Sequence, residues 1–277
     1  MLQVPKSLDG LTAQALAKVT CVLADIDDTI TTDGRLTAAA YGALERLQDA
    51  GFAVVPVTGR PAGWCDLIAR FWPVAGVVGE NGAFYFSYDR DARAMRAHHA
   101  LPAEQRARNR QRLDALANAI LESAPGCALA SDQPYRIADL AIDFCEDVPP
   151  LPASSVDRIV SIFEAAGATA KVSSIHVNGW FGAWDKLTMA RAFLTRELSI
   201  ASAALDEAVV YVGDSPNDEP MFAAFPLSVG VANVRAHAAR MRHLPRYITR
   251  GEGGAGFVEL AERLIDARAR PCIARRA

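Results

Sequence analysis

Val19-Thr20-Cys21-Val22-Leu23-Ala24 runs directly into Asp25-Ile26-Asp27-Asp28-Thr29. A short β-rich apolar run ended by acidic residues reads as a buried strand with a polar loop at its carboxyl end. The next segments keep that rhythm. Thr37 is placed to cap a helix over 38–49, with Leu44 and Leu47 on one face and Gly51 just past its end. Phe52 to Val57 reads as a second strand despite Pro56. Thr58-Gly59-Arg60-Pro61 comes next, with Pro61 suited to the first turn of a helix. Val74 to Val78 reads as a third strand before Glu80-Asn81-Gly82.

The same rhythm returns late in the chain. Lys186 to Leu198 reads as a helix with Leu187, Ala190, Phe193 and Leu194 inward. Ala208 to Val212 reads as a strand running into Gly213-Asp214-Ser215-Pro216-Asn217-Asp218, and short strands are expected at 227–231 and 247–249. Strand, loop, helix, strand is the pattern of a parallel sheet covered on both faces. The expected fold class is therefore α/β, with a doubly wound, Rossmann-like parallel-sheet core. The middle differs: a strand at 84–88, a polar helix at 102–123, a strand at 138–144, a helix at 154–166, and a strand-like stretch at 171–177 with a possible bend at Ser173-Ser174. Pairs of helices and strands without strict βαβ order suggest an inserted α+β layer. The first twenty residues suggest a helix plus a loose start, and the Arg-rich end at 268–276 a frayed tail.

With 277 residues, 51% hydrophobic and 22% charged, the chain can bury a sizeable core without metal or disulfide staples. A formal charge of −3 gives no general attraction to nucleic acid or anionic membranes. Nothing approaches the length of a membrane span, and Met1 to Thr20 lacks the order of a signal peptide, so a cytoplasmic protein is expected. The 5 cysteines are odd in number and form no C-x-x-C pair, which argues against a disulfide framework or thiolate zinc site. Cys21 and Cys145 read as small buried hydrophobes.

Ligands of open α/β sheets bind outside the carboxyl ends of strands, so Asp25, Asp27, Thr58 and Asp214 are candidates for one crevice. Clustered carboxylates need a counter-charge, and a hard, oxygen-seeking Mg2+ is the natural one. Asp214 and Asp218 supply further carboxylates; capping and turn formation is the bland alternative. A phosphoryl group needs a cation and donors, which the Thr58 hydroxyl, nearby backbone N–H groups and Lys186 can provide. Each alone also reads as a turn residue or a surface charge. Only four of the 29 basic residues are lysines (Lys6, Lys18, Lys171, Lys186), which makes Lys186 conspicuous.

Asp25-Ile26-Asp27-Asp28-Thr29, Thr58-Gly59-Arg60, Lys186 and Gly213-Asp214-Ser215-Pro216-Asn217-Asp218, in this order, resemble the four motifs of the haloacid dehalogenase-like superfamily. The insertion resembles its C2-type cap, and Glu80-Asn81-Gly82-Ala83, Val231-Ala232-Asn233 and Glu252-Gly253-Gly254-Ala255-Gly256 resemble segments of the C2B branch, which includes Cof-type and sucrose-phosphate phosphatases. One departure is Asp28, where many relatives have glycine. The resemblance implies a catalytic core of 1–83 and 184–277 and a C2B-type cap of 84–183. It implies a Mg2+-dependent phosphatase acting on a small-molecule phosphate ester, a sugar or glycosyl phosphate. Asp25 would be the nucleophile and Asp27 the acid/base. Asp25, the Asp27 carbonyl, Asp214 and Asp218 would serve the metal, with Asp218 direct or supporting. Asp25, Thr58, Gly59, Lys186 and Asn217 would meet the phosphate. A phosphomutase, or a non-catalytic sugar-phosphate-binding protein, are the alternatives.

For the remainder of the substrate the candidates are Arg60, Asn81, His176, Asn178 and Asn233, of which the family resemblance places Arg60, Asn81 and Asn233 against substrate or the cap–core seam. His176 and Asn178 lie near Trp180 and Trp184, a group that suits sugar recognition or hinge packing. No histidine spacing suggests zinc. Seven arginines between Arg90 and Arg112, against Asp91 and Glu104, read as a solvated face, with an anionic contact as the alternative.

Overall fold

The computed structural model describes residues 4–173 and 175–274. In chain order the elements are β1 (Lys6–Ser7), α1 (Ala13–Leu16), β2 (Cys21–Ala24), α2 (Ala38–Asp49), β3 (Ala53–Pro56), α3 (Ala62–Phe71), β4 (Val77–Gly79), β5 (Phe84–Asp89), β6 (Ala94–His99) and α4 (Ala103–Ser123). The chain continues through β7 (Ala128–Leu129), β8 (Leu140–Asp143), α5 (Ala153–Ala165), β9 (Thr169–Val172), β10 (His176–Trp180), α6 (Lys186–Arg196), α7 (Leu205–Ala208), β11 (Val209–Gly213), α8 (Glu219–Ala224), β12 (Ser228–Gly230), β13 (Tyr247–Ile248) and α9 (Gly253–Ala274).

Six strands form a sheet in the order β1-β13-β12-β11-β2-β3, every pair parallel. The alternation of side chains across the pleat divides the core in two. Val22 and Ala24 face α2, α3 and α9, where Leu44, Leu47, Ile68, Phe257 and Leu260 are buried. Cys21 and Leu23 face α6 and α8, where Phe193, Leu194, Met221 and Phe222 pack. Each such large side chain contributes roughly 1.5–3 kcal/mol by leaving water. After β2 the chain moves to β3 on one side, and later strands fill the other, so the order reverses between β2 and β11. A crevice opens at such a reversal.

Two smaller antiparallel sheets complete the fold. β4-β5-β6 joins the parallel sheet through one bridge, Val57 to Val78, and places Phe84 and Phe86 in the main core. The expected third parallel strand is thus mostly an antiparallel partner of β5, because the β5–β6 hairpin takes up its hydrogen bonds. The sheet β7-β8-β10-β9 packs with α4 and α5 around a core of its own, from Leu113 and Ile120 through Ile159 and Phe163 to Phe181. The stretch expected at 171–177 is two strands, β9 and β10, paired antiparallel; Ser174 lies outside the described residues.

Thr37 caps α2 as expected, its hydroxyl accepting from Ala40 N at 3.2 Å. Pro61 is the residue before α3 rather than within its first turn. The loose start contains an edge strand, β1, parallel to β13. The Arg-rich end continues as helix through Ala274, and 275–277 lie outside the described residues. Cys21 is fully buried, whereas Cys145 is only half-buried. The arginines of 90–112 stay largely solvated and meet local partners: Arg96 pairs with Asp89, Arg110 with Asp114, and Arg112 lies over the Phe181 ring at 3.4 Å.

Candidate active site

Asp25 and Asp214 lie just beyond the carboxyl ends of the adjacent parallel strands β2 and β11, where Ala24 pairs with Val212. The Asp25 amide continues the ladder, donating to the Val212 carbonyl at 2.9 Å. Two residues far apart in the chain therefore emerge side by side. Asp25, Asp214 and Asp218 each present a carboxylate oxygen, and these oxygens lie within 4.8 Å of one another.

Lys186 comes from a third segment, at the first position of α6, whose N-cap Asp185 accepts from Thr188 N at 2.7 Å. Its buried ammonium donates to Asp25 Oδ1 at 2.6 Å, to Asp218 Oδ1 at 3.1 Å and, more weakly, to Asn217 Oδ1 at 3.4 Å. Gly82 (φ +100°) sets this helix start close to the 80–82 turn: a Cβ there would come within 2.1 Å of the Asp185 carbonyl oxygen.

Asp218 is buried and saturated. Its Oδ1 accepts from Lys186 and the Tyr211 hydroxyl, and its Oδ2 from the backbone N–H of Asp214 at 3.0 Å and Ser215 at 3.2 Å. Gly213 makes room for it, since a Cβ at that position would lie 2.4 Å from Oδ2. Asp214 accepts from the Thr29 hydroxyl at 3.2 Å and from Asn233 Nδ2 at 3.2 Å, one bond to each oxygen. Burial, together with the Asp218 and Asp25 charges, pushes the Asp214 carboxyl up to about 9. Burial also pushes Asp25 up to about 8, opposed by Lys186 and reinforced by Asp218 and Asp27. The Lys186 pKa is raised, the two carboxylates overcoming the effect of burial.

The cavity beside this cluster, about 300 Å³, is lined by six carboxylates: Asp25, Asp27, Asp28, Asp33, Asp214 and Glu252. Such a site draws cations, and its hard oxygen donors suit Mg2+. A second cavity of about 150 Å³ adjoins it. Asp27, Asp28 and Gly59 belong to both, while Arg60, Glu146, His176 and Asn178 line the second.

Asp27 turns toward Arg60, which grips it through Nε and Nη2. Thr58 is fully buried and its hydroxyl accepts from Arg60 N at 3.1 Å. Asn217 meets Lys186 and the Ser215 hydroxyl. Asn81 packs beneath Gly59, its side-chain oxygen 3.2 Å from where a Cβ would stand, and supports that loop. Asn233 ties three segments together: it donates to Asp28 O and Asp214 and accepts from Gly253 N. Trp180 and Trp184 stack at 6.2 Å inside the main core, so hinge packing, not a sugar platform, is their place.

Sequence reading missed a buried ionic cluster. Glu80 accepts from the backbone N–H groups of Ala62, Ile137, Ala138 and Asp139. Arg136 bonds Asp132 and Asp139 and reaches the Gly59 carbonyl at 3.0 Å. These bonds fasten the 132–139 segment to the parallel-sheet layer. The only sequence signal was Glu80 itself, in the turn before β5.

No protein-family model matches the sequence, and no curated protein is significantly similar to it. Solved structures do resemble it. The C-terminal domain of C. albicans trehalose-6-phosphate phosphatase superposes with a TM-score of 0.72 at 13% identity, over 95% of this chain and 98% of that one. A haloacid dehalogenase-like hydrolase from Bacteroides thetaiotaomicron gives 0.63 at 15%, over 89% and 100%. The Synechocystis sucrose-phosphatase, in complex with sucrose and phosphate, gives 0.61 at 16%, over 89% and 98%. The fold is that of the haloacid dehalogenase-like hydrolases, as the motifs led one to expect.

Proposed function

We propose that this chain is a Mg2+-dependent phosphatase that hydrolyses a small phosphorylated metabolite, a sugar or glycosyl phosphate, through an aspartyl-phosphate intermediate. The observation that carries the reading is the meeting of Asp25, Asp214 and Asp218 with Lys186 at the switch point of the parallel sheet.

Asp25 and Asp214 have oxygens to offer a cation; Asp218, already taking four hydrogen bonds, orients Lys186 and the 214–215 backbone. When bound, Mg2+ would offset charge on the phosphoryl oxygens and on the carboxylates. Lys186 keeps one Asp25 oxygen fixed, so the other faces phosphorus in a narrow range of directions. That oxygen forms the new P–O bond as the bond to the leaving alcohol breaks, and Asp27 delivers a proton to the departing oxygen. Asp27, now a carboxylate, takes a proton from water, whose oxygen attacks phosphorus and frees Asp25 with release of inorganic phosphate. Thr58, the Gly59 backbone and Lys186 hold the phosphoryl oxygens. Within the inserted segment, 84–183, β5 and β6 belong to the main-core layer, and the β7-β8-β10-β9 sheet with α4 and α5 acts as the cap that excludes water during the first step.

Phosphate release from a panel of sugar phosphates, with and without Mg2+, tests this. The expected result is Mg2+-dependent release that the Asp25→Asn variant lacks. An isomerised sugar phosphate instead of inorganic phosphate would make the protein a mutase, and no turnover of any panel member would leave it a binding protein.

A further inference from the structure

The second cavity meets the first at Asp27, the proposed proton donor to the leaving alcohol. The leaving group therefore occupies the second cavity, an assignment that rests on the phosphatase reading. Both cations on its wall are already engaged. Arg60 is clamped to Asp27, and its remaining Nη1 lies 3.6 Å from Glu146 and 3.9 Å from Asp132. Arg136 is bonded to Asp132, Asp139 and the Gly59 carbonyl. His176 stands with Nε2 at 2.8 Å from Glu146 Oε2, and burial lowers its pKa, which favours the neutral ring near pH 7.

Glu146 is set in place by its own loop. The buried Asp143, at the end of β8, accepts from the backbone N–H of Cys145 at 2.9 Å, Glu146 at 2.7 Å and Asp147 at 2.8 Å. The side chain is therefore presented from a fixed backbone, and it is 31% exposed, open to a ligand. A second phosphate or a carboxylate on the leaving group would come to rest near Glu146 and Asp28 with no uncommitted cation among the described residues of the wall. Like-charge juxtaposition of that kind is the usual means by which a site rejects a wrong ligand. A hydroxyl has the opposite fate, since a carboxylate is a strong acceptor for it.

We propose that Glu146 is a specificity-determining residue: it admits neutral polyhydroxyl leaving groups, whose hydroxyls donate to its carboxylate, and turns away phosphate esters that carry a second anionic group.

Two measurements test this. The first compares kcat/KM for neutral hexose monophosphates with that for hexose bisphosphates and phosphoglycerate, in wild type, Glu146→Gln and Glu146→Lys. Wild type should favour the monophosphates by about 100-fold, Glu146→Gln should narrow the ratio by about 10-fold, and Glu146→Lys should reverse it. Equal turnover of both classes by wild type, or a ratio unmoved in both variants, overturns the proposal. The second is calorimetric titration of Asp25→Asn with Mg2+ present, using a hexose monophosphate and the matching bisphosphate; at least about 10-fold tighter binding of the monophosphate is expected, and equal affinity overturns the proposal. Wild-type turnover of p-nitrophenyl phosphate separates the two ideas. Phosphate release there, with no discrimination between the sugar esters, removes only the role of Glu146. If no ester is turned over, the phosphatase reading falls, and the titration still decides what the cavity selects.

Discussion

Arg60 holds the Asp27 carboxylate in a fork, with Nε at 3.0 Å and Nη2 at 2.8 Å from the same oxygen. A planar guanidinium fixes both the position and the plane of its partner, which a lysine ammonium does not. The same arginine lies over the Trp64 ring at 4.5 Å and near Glu146 and Asp132, so it joins the Asp25 loop to the inserted segment.

Arg60→Ala should therefore lower kcat by about 10–100-fold by releasing Asp27 from its orientation. Arg60→Lys should recover little of it. Steady-state kinetics on the best substrate check this, and an Arg60→Lys enzyme as fast as wild type would show that charge alone suffices.

Lys186→Met would leave two buried carboxylates, Asp25 and Asp218, without their ammonium. The expected cost is about 3–5 kcal/mol of stability. Mg2+ should recover part of it, because a cation that binds only the folded chain stabilises by about 2.7 kcal/mol at 100 times its Kd. Thermal denaturation with Mg2+ and with chelator measures both. A wild-type protein whose Tm is indifferent to Mg2+ would count against the cation site.

Burial and the Asp139 charge push the Glu80 carboxyl up to about 8, against the pull of its backbone donors and Arg136. A carboxyl raised on folding favours the folded state fully below its unfolded value, near 4.5, and that contribution is lost as pH rises through about 8. Wild-type stability should thus decline over this window more steeply than that of Glu80→Gln, which cannot titrate. The variant should also be less stable overall, since one amide oxygen cannot serve four N–H groups. Denaturant unfolding at several pH values reads both effects, and parallel curves would contradict the first.

Asp28 adopts φ +53°, a left-handed conformation that L-residues enter at a cost and glycine enters freely. A glycine would therefore suit this place better on backbone grounds alone. Asp28→Gly should keep the fold, raise or leave unchanged the stability within about 1 kcal/mol, and keep activity. Loss of activity would assign the Asp28 carboxylate a role in binding the cation or the substrate.

Much of the parallel layer was legible because its signals are local. An apolar run ending in Asp25, a threonine before a helix at Ala38, and a strand ending in Gly213-Asp214 each declare themselves within a few residues. What they could not declare was company. Trp180 and Trp184 look alike as a sugar platform or as packing until the neighbouring chain is placed, and the structure buries them in the main core. Asn233 reads as a contact for substrate or for the cap–core seam; the structure adds that it braces Asp214 against the Gly253 turn while it lines the first cavity.

By itself, then, the sequence determined the main strands and helices of the parallel layer and the residue types offered at the strand ends, because periodicity and capping depend on near neighbours. Only the tertiary structure decided which charges share a site: Lys186 with Asp25 and Asp218, Arg60 with Asp27 and Glu146, and Glu80 with the 137–139 backbone. A buried charge is tolerable only beside its partner, and that partner is fixed by where distant segments cross, not by the residues next to it in the chain.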